Sequence, residues 1–70
     1  MVNWTEVIRD LPEVEDFARG ELSGRELYST AIDWANMETR SAVRNLLRNR
    51  GVEESRRLAR KALRRRGVKV

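Results

Sequence analysis

The sequence predicts an all-α protein, a compact bundle of four to five short helices in a single domain spanning residues 1–70. Every segment with a regular apolar pattern repeats at the three- and four-residue spacing of a helix. Residues that cap helices well come before these segments, and glycine follows several of them. A chain of 70 residues buries a small core, so we also expect it to associate, most simply as a homodimer.

Residues 3–22 predict two short helices that meet at a sharp corner. Asn3 is a good N-cap, and Glu6 three residues later completes a capping-box pattern. Pro12 ends the first helix, because it has no N–H to donate, and it is a favoured first residue of the next helix. Gly20 is the expected C-cap of that second helix.

The capping box Ser23-Gly24-Arg25-Glu26 opens a longer helix. Its apolar pattern is interrupted over residues 36–41, where Asn, Thr and Ser compete for backbone hydrogen bonds. The pattern then resumes and ends at Gly51. Two structures fit equally well: one continuous helix over residues 24–50, or two helices joined by a tight turn near residues 36–39.

The last helix is predicted from Val52 to Arg66, with acids in its first turn and arginines in its last, as the helix dipole favours. We expect Glu53 to meet Arg57 four residues later. The predicted buried stripe is narrow and mostly small: Ser55, Leu58, Ala59, Ala62 and Leu63. Core packing is also expected for the aromatic residues, Trp4, Phe17, Tyr28 and Trp34.

Charge divides the chain into two unequal halves. Residues 1–38 contain three arginines and nine acids, a net charge of −6, whereas residues 39–70 contain twelve basic residues and two acids, a net charge of +10. We call these the acidic half and the basic half. A surface as positive as the basic half attracts polyanions. The acidic half is expected to support the fold, and the basic half to bind.

Several function classes have little support in the composition. The chain has no histidine and no cysteine, which removes the commonest general base, the best nucleophile and the usual zinc ligands. We therefore predict no enzyme activity, no cofactor, no metal and no small-molecule substrate. No stretch approaches the ~20 apolar residues of a membrane span. The expected location is the cytoplasm, which suits a chain without cysteine.

Residues 39–51 have the composition of a DNA recognition helix. Aliphatic residues can anchor one face, and five polar residues could point outward: Arg40, Ser41, Arg44, Asn45 and Arg48. Arginine and asparagine pair bidentately with guanine and adenine. The region 31–51 resembles a helix-turn-helix of small prokaryotic regulators, although the spacing from the turn to Val43 is one or two residues longer than usual. The alternative is a solvated arginine face on an ordinary amphipathic helix.

The last helix carries six cations over ten residues, which we expect to clamp phosphates: Arg56, Arg57, Arg60, Lys61, Arg64 and Arg65. Such dense like charge is unfavourable unless something neutralises it, and a phosphate backbone does so while releasing counterions. Two alternatives remain. The ridge could be merely solubilising, or it could pair with the acidic half in the same molecule or in a dimer mate.

The sequence thus favours a non-enzymatic nucleic-acid-binding protein, of transcription-regulator, chromatin or viral type, with DNA favoured over RNA. The second hypothesis is a protein-interaction or oligomerisation module whose basic half docks on an acidic protein surface.

Overall fold

The computed structural model describes residues 3–70 and confirms the all-α prediction. Within those residues it contains five helices and no strand: α1 (Trp4–Asp10), α2 (Val14–Ala18), α3 (Gly24–Trp34), α4 (Met37–Arg50) and α5 (Val52–Arg65). They form a compact body measuring 27 × 21 × 20 Å. No helix in the described part of the chain is long and apolar enough to cross a lipid bilayer.

The corner between α1 and α2 forms where proline was expected to place it. The side chain of Asn3 accepts a hydrogen bond from the Glu6 amide at 3.2 Å. Helix α1 ends before Leu11, whose backbone is extended, as is usual for a residue that precedes proline. The sequence suggested that Pro12 would be the first residue of α2, and this prediction is wrong. A turn over Pro12 and Glu13 comes first, and α2 begins at Val14.

The interruption of the apolar pattern marks a true break, so the two-helix alternative is confirmed, but the link lies at residues 35–36 and residues 37–39 already belong to α4. Ala35 and Asn36 are both extended. The Asn36 side chain accepts a hydrogen bond from the Thr39 amide at 2.8 Å and so acts as the N-cap of α4. The Thr39 hydroxyl in turn donates to Asp10 at 3.2 Å. This contact ties the start of α4 to the end of α1.

Gly51 alone links α4 to α5. Its backbone has a φ of 80° and a ψ of 166°. This combination belongs to a region of backbone conformation that is essentially restricted to glycine. Just beyond the link, the buried hydroxyl of Ser55 donates to the Leu46 carbonyl at 3.2 Å. A small residue with a satisfied hydroxyl therefore lets α5 approach α4 closely.

The core lies where α5 meets α1, α2 and α4. Trp4 and Phe17 stack at its centre, with ring centroids 5.8 Å apart. The predicted stripe of α5 is confirmed: Leu58 is half-buried, and the other four members are buried. Among the aromatic residues, Tyr28 is half-buried against the core. The expectation for Trp34 is wrong, because this last residue of α3 is 54% exposed.

Candidate nucleic-acid interface

Arg56 points into the fold rather than out of it. Its Nε donates to the Phe17 carbonyl at 2.9 Å, and its Nη2 donates to the Leu22 carbonyl at 3.3 Å. The guanidinium carbon lies 4.7 Å from the centroid of the Phe17 ring, a cation–π distance. Only 16% of the side chain is exposed. These contacts hold Arg56 against α2 and leave it little freedom to reach a phosphate.

Arg60, one turn further along α5, has a similar orientation. Its Nη1 donates to the Ala18 carbonyl at 3.3 Å. The last carbonyls of a helix have no partner within the helix, and cations are favourable there because of the helix dipole. Arg56 and Arg60 thus close the C-terminal end of α2. Because of this packing role we omit these two residues from the candidate interface, and their assignment as phosphate clamps stays a prediction.

Arg57 is exposed but carries its own counterion. It donates through Nε and Nη2 to the carboxylate of Glu54, at 2.8 and 2.6 Å. The Glu54 hydrogen bonds raise the pKa of Arg57, and the hydrogen bond from Arg57 lowers the pKa of Glu54. The expected pairing of Glu53 with Arg57 is wrong, because Glu53 binds Arg56 at 2.9 Å instead. Both pairs span three residues, and the Arg57–Glu54 pair contributes little because it lies at the surface.

The exposed cations of α5 that bind no carboxylate within the described residues are Lys61, Arg64 and Arg65. Arg64 donates through Nε to the Val70 carbonyl at 2.8 Å, which holds the tail beside the helix. Lys61 and Arg65 line one shallow hollow with Arg50 of α4, above a half-buried Leu58. Two helices therefore bring three cations to one place.

Arg50 was not among the residues selected from the sequence. It lies beside Gly51, where the sequence indicates a helix end, and the helix dipole alone explains a cation there. The signal that could have found it is the short link to α5, which forces the end of α4 to lie near the cations of the next helix.

On α4, the three residues Arg44, Asn45 and Arg48 are exposed, as expected of a recognition face. Arg44 and Arg48 are four residues apart and therefore share one side of the helix. Arg40 differs, because it is half-buried and its Nη2 lies 3.5 Å from the Ala35 carbonyl, while its buried Nε has no partner. Arg40 therefore helps to close the end of α3, and we omit it from the candidate interface too.

The basic half forms no ion pair with the acidic half among residues 3–70. The three ion pairs there are local, three or four residues apart: Arg19–Glu15, Arg56–Glu53 and Arg57–Glu54. Pairing of the basic half with the acidic half of the same chain was an alternative to polyanion binding. The described contacts include no such ion pair. The links between the halves include hydrogen bonds from arginine to backbone carbonyls.

Comparison of the chain with protein-family models, curated proteins and solved structures gave no match. The candidate interface is therefore defined by the geometry and charge of its own residues.

Proposed function

We propose that this chain is a non-enzymatic, cytoplasmic nucleic-acid-binding protein that acts as a homodimer, with duplex DNA as the preferred partner. The observation that carries the proposal is that five of the cations that the sequence assigned to binding are exposed and bind no carboxylate in the described structure. Two lie on α4 and three on α5: Arg44, Arg48, Lys61, Arg64 and Arg65. We call this set the polyanion surface.

The polyanion surface would act mainly through phosphates. Each arginine or lysine that neutralises a phosphate releases condensed counterions, and this release drives binding. Five such contacts predict that affinity falls roughly 500-fold between about 50 and 200 mM salt, from a slope of about −0.9 per contact. Affinity of this kind depends little on base sequence.

The helix-turn-helix resemblance supports an additional part of the proposal, namely that α4 contacts DNA bases. A sharp two-residue link joins α3 to α4, and α4 carries Arg44, Asn45 and Arg48 on its exposed side. An exposed helix of this kind can enter a major groove, where asparagine and arginine contact base edges. We assign base contacts to Asn45 and Arg44, and the positioning of the helix to the remaining cations.

The test is a fluorescence-anisotropy titration of the protein on a labelled DNA duplex at two salt concentrations. Substituting Lys61→Gln and Arg65→Gln together should weaken binding on every sequence and lower the salt slope by about two. The matched control is Arg9→Gln with Arg25→Gln, which removes the same charge from exposed positions in the acidic half.

Equal losses in the two double variants would overturn the polyanion surface, because net charge alone would then explain binding. An absence of binding at the lower salt concentration would overturn nucleic-acid recognition itself and favour the protein-docking hypothesis. Parallel titrations with duplex RNA and single-stranded DNA test the preference for duplex DNA.

A further inference from the structure

One side of α4 is bordered by opposite charges at its two ends. Three neighbouring hollows follow this side, and adjacent hollows share lining residues. The hollow at the start of α4 is lined by three carboxylates, from Glu6, Asp10 and Glu38. The hollow at its end is lined by three cations, from Arg50, Lys61 and Arg65. The face between them is therefore polarised along the helix.

Four residues on this face recur at four-residue steps: Glu38, Ala42, Leu46 and Arg50. Residues at this spacing form a continuous ridge on a helix, and pairing of such ridges gives the commonest class of helix packing. Ala42 is small and buried, whereas Leu46 is half-buried and stands higher. The ridge therefore has a low point and a high point between its two charges.

The ridge is complementary to a second copy of itself that runs in the opposite direction. Glu38 and Arg50 lie at equal distances on either side of position 44, and so do Ala42 and Leu46. The two charged residues are about 18 Å apart along the helix axis, from a rise of about 1.5 Å per residue. A twofold axis at position 44 would set each acid against an arginine and each leucine against an alanine.

We propose that a second copy of this chain docks antiparallel along α4, with Glu38 opposite the partner's Arg50 and Leu46 over the partner's Ala42. The proposal rests on the homodimer in the proposed function and supplies its interface. An acidic peptide or a nucleic acid would complement only the cationic end of the ridge. A second copy related by a twofold axis complements both ends at once.

The α4 members of the polyanion surface, Arg44 and Arg48, lie away from this interface, whereas Lys61 and Arg65 line the hollow at its cationic end. Arg44 is two residues from both Ala42 and Leu46, and two residues correspond to a rotation of about 200°. The dimer consequently leaves Arg44 and Arg48 exposed, whereas Asn45 lines the central hollow on the docking side. Pairing also brings two polyanion surfaces into one particle.

The experiment uses charge reversal in the full chain, measured by sedimentation velocity over a wide range of protein concentrations at low salt. Glu38→Arg puts two cations at opposed positions, and Arg50→Glu puts two acids there. Like charges held opposite each other disfavour association strongly, so each variant should dimerise at least about tenfold more weakly than the unaltered protein. An equimolar mixture of the two variants should form a heterodimer, because both of its charge pairs are again opposite in sign.

The mixture separates docking from folding. Each reversal also opposes the α4 dipole and lowers helix stability by an amount that mixing cannot restore. Circular dichroism therefore checks that each variant is folded. The matched controls are Arg25→Glu and Asp33→Arg, exposed charge reversals on α3 that should leave the dimer unchanged.

Each outcome decides one question. A dimer that both variants retain would overturn the α4 interface and keep the homodimer. Folded monomeric variants that fail to associate when mixed would overturn the charge pairing. An unaltered protein that stays monomeric at every concentration would overturn the homodimer and its interface together. None of these outcomes bears on the DNA titration, which is carried out separately.

Discussion

Arg56 and Phe17 are joined twice, once through the ring and once through the backbone. The guanidinium group lies over the aromatic face at 4.7 Å, and its Nε donates to the carbonyl of the same residue at 2.9 Å. Residues 39 positions apart thus fix α5 against α2. A charge that the sequence assigns to binding is used for packing.

Replacing Arg56 should therefore destabilise the protein more than it weakens DNA binding. Arg56→Gln leaves two carbonyls of the α2 region without their charged donor, which we expect to lower the free energy of unfolding by about 2 kcal/mol. Urea denaturation measures this change. Arg57→Gln is the matched control, expected within about 0.5 kcal/mol because its ion pair is exposed. The opposite ranking of the two variants would contradict the packing role.

The link at Gly51 should tolerate no side chain. Gly51→Ala places a Cβ on a backbone with a φ of 80° and a ψ of 166°. We expect this strain to cost about 1–3 kcal/mol. The neighbouring exposed substitution Asn49→Ala should be nearly neutral. Thermal unfolding of both variants measures the difference, and equal melting temperatures would show that the link can relax into another conformation.

The cap at Asn36 should determine the residue at which α4 starts. Asn36→Ala removes the acceptor for the Thr39 amide. This loss should cost about 1 kcal/mol, whereas Asn36→Asp should restore the cap. Chemical denaturation of the three proteins gives the values. A stable Asn36→Ala protein with added helical content would instead indicate that α3 and α4 can merge.

Acid should destabilise the protein partly through the capping box of α3. The backbone hydrogen bond from Ser23 lowers the pKa of Glu26 below its ordinary value of 4.5. The unfolded chain then binds the proton more readily, so this contribution is present above the unfolded-state pKa and is lost as pH falls through the folded-state pKa. The melting temperature of Glu26→Gln should depend less on pH in that window, with Asp33→Asn as control. An unchanged slope would argue against the contribution.

Asn45 and Arg48 should respond differently to salt. Arg48→Gln removes one of the proposed phosphate contacts and should reduce the salt slope of DNA binding by about one, whereas Asn45→Ala removes no charge and should leave the slope unchanged. If Asn45 contacts a base edge, its loss should instead reduce discrimination between preferred and mutated sites by about 1–3 kcal/mol. Competition titrations with a panel of duplexes separate the two effects.

The helix ends were predictable wherever their determinants are local. The Ser23–Glu26 box forms with both of its hydrogen bonds, and Gly51 ends α4 as expected. The break at Asn36 was not decidable, because asparagine can cap a helix or sit within one and no glycine or proline enforces an end there. Thr39 also contacts Asp10, which lies 29 residues away in the chain, and the local sequence pattern does not predict this contact.

The roles of individual arginines were even less accessible. Arg56 and Lys61 carry the same charge on the same helix, yet one faces α2 and the other faces solvent. Their difference depends on where α2 packs, which is a tertiary property. The available hint was that Arg56 and Arg60 directly follow the buried Ser55 and Ala59, at the edge of the apolar stripe.

Because arginines of α5 close the end of α2, folding of the acidic half should depend on the basic half. A fragment that ends at Gly51 would lose every donor that α5 supplies to the carbonyls of Phe17, Ala18 and Leu22, together with the apolar cover of Ala59 and Leu63. Such a fragment would have a bare helix end and an uncovered aromatic pair, so it should remain unfolded in isolation. The two halves have net charges of opposite sign, yet they should fold together as one cooperative unit.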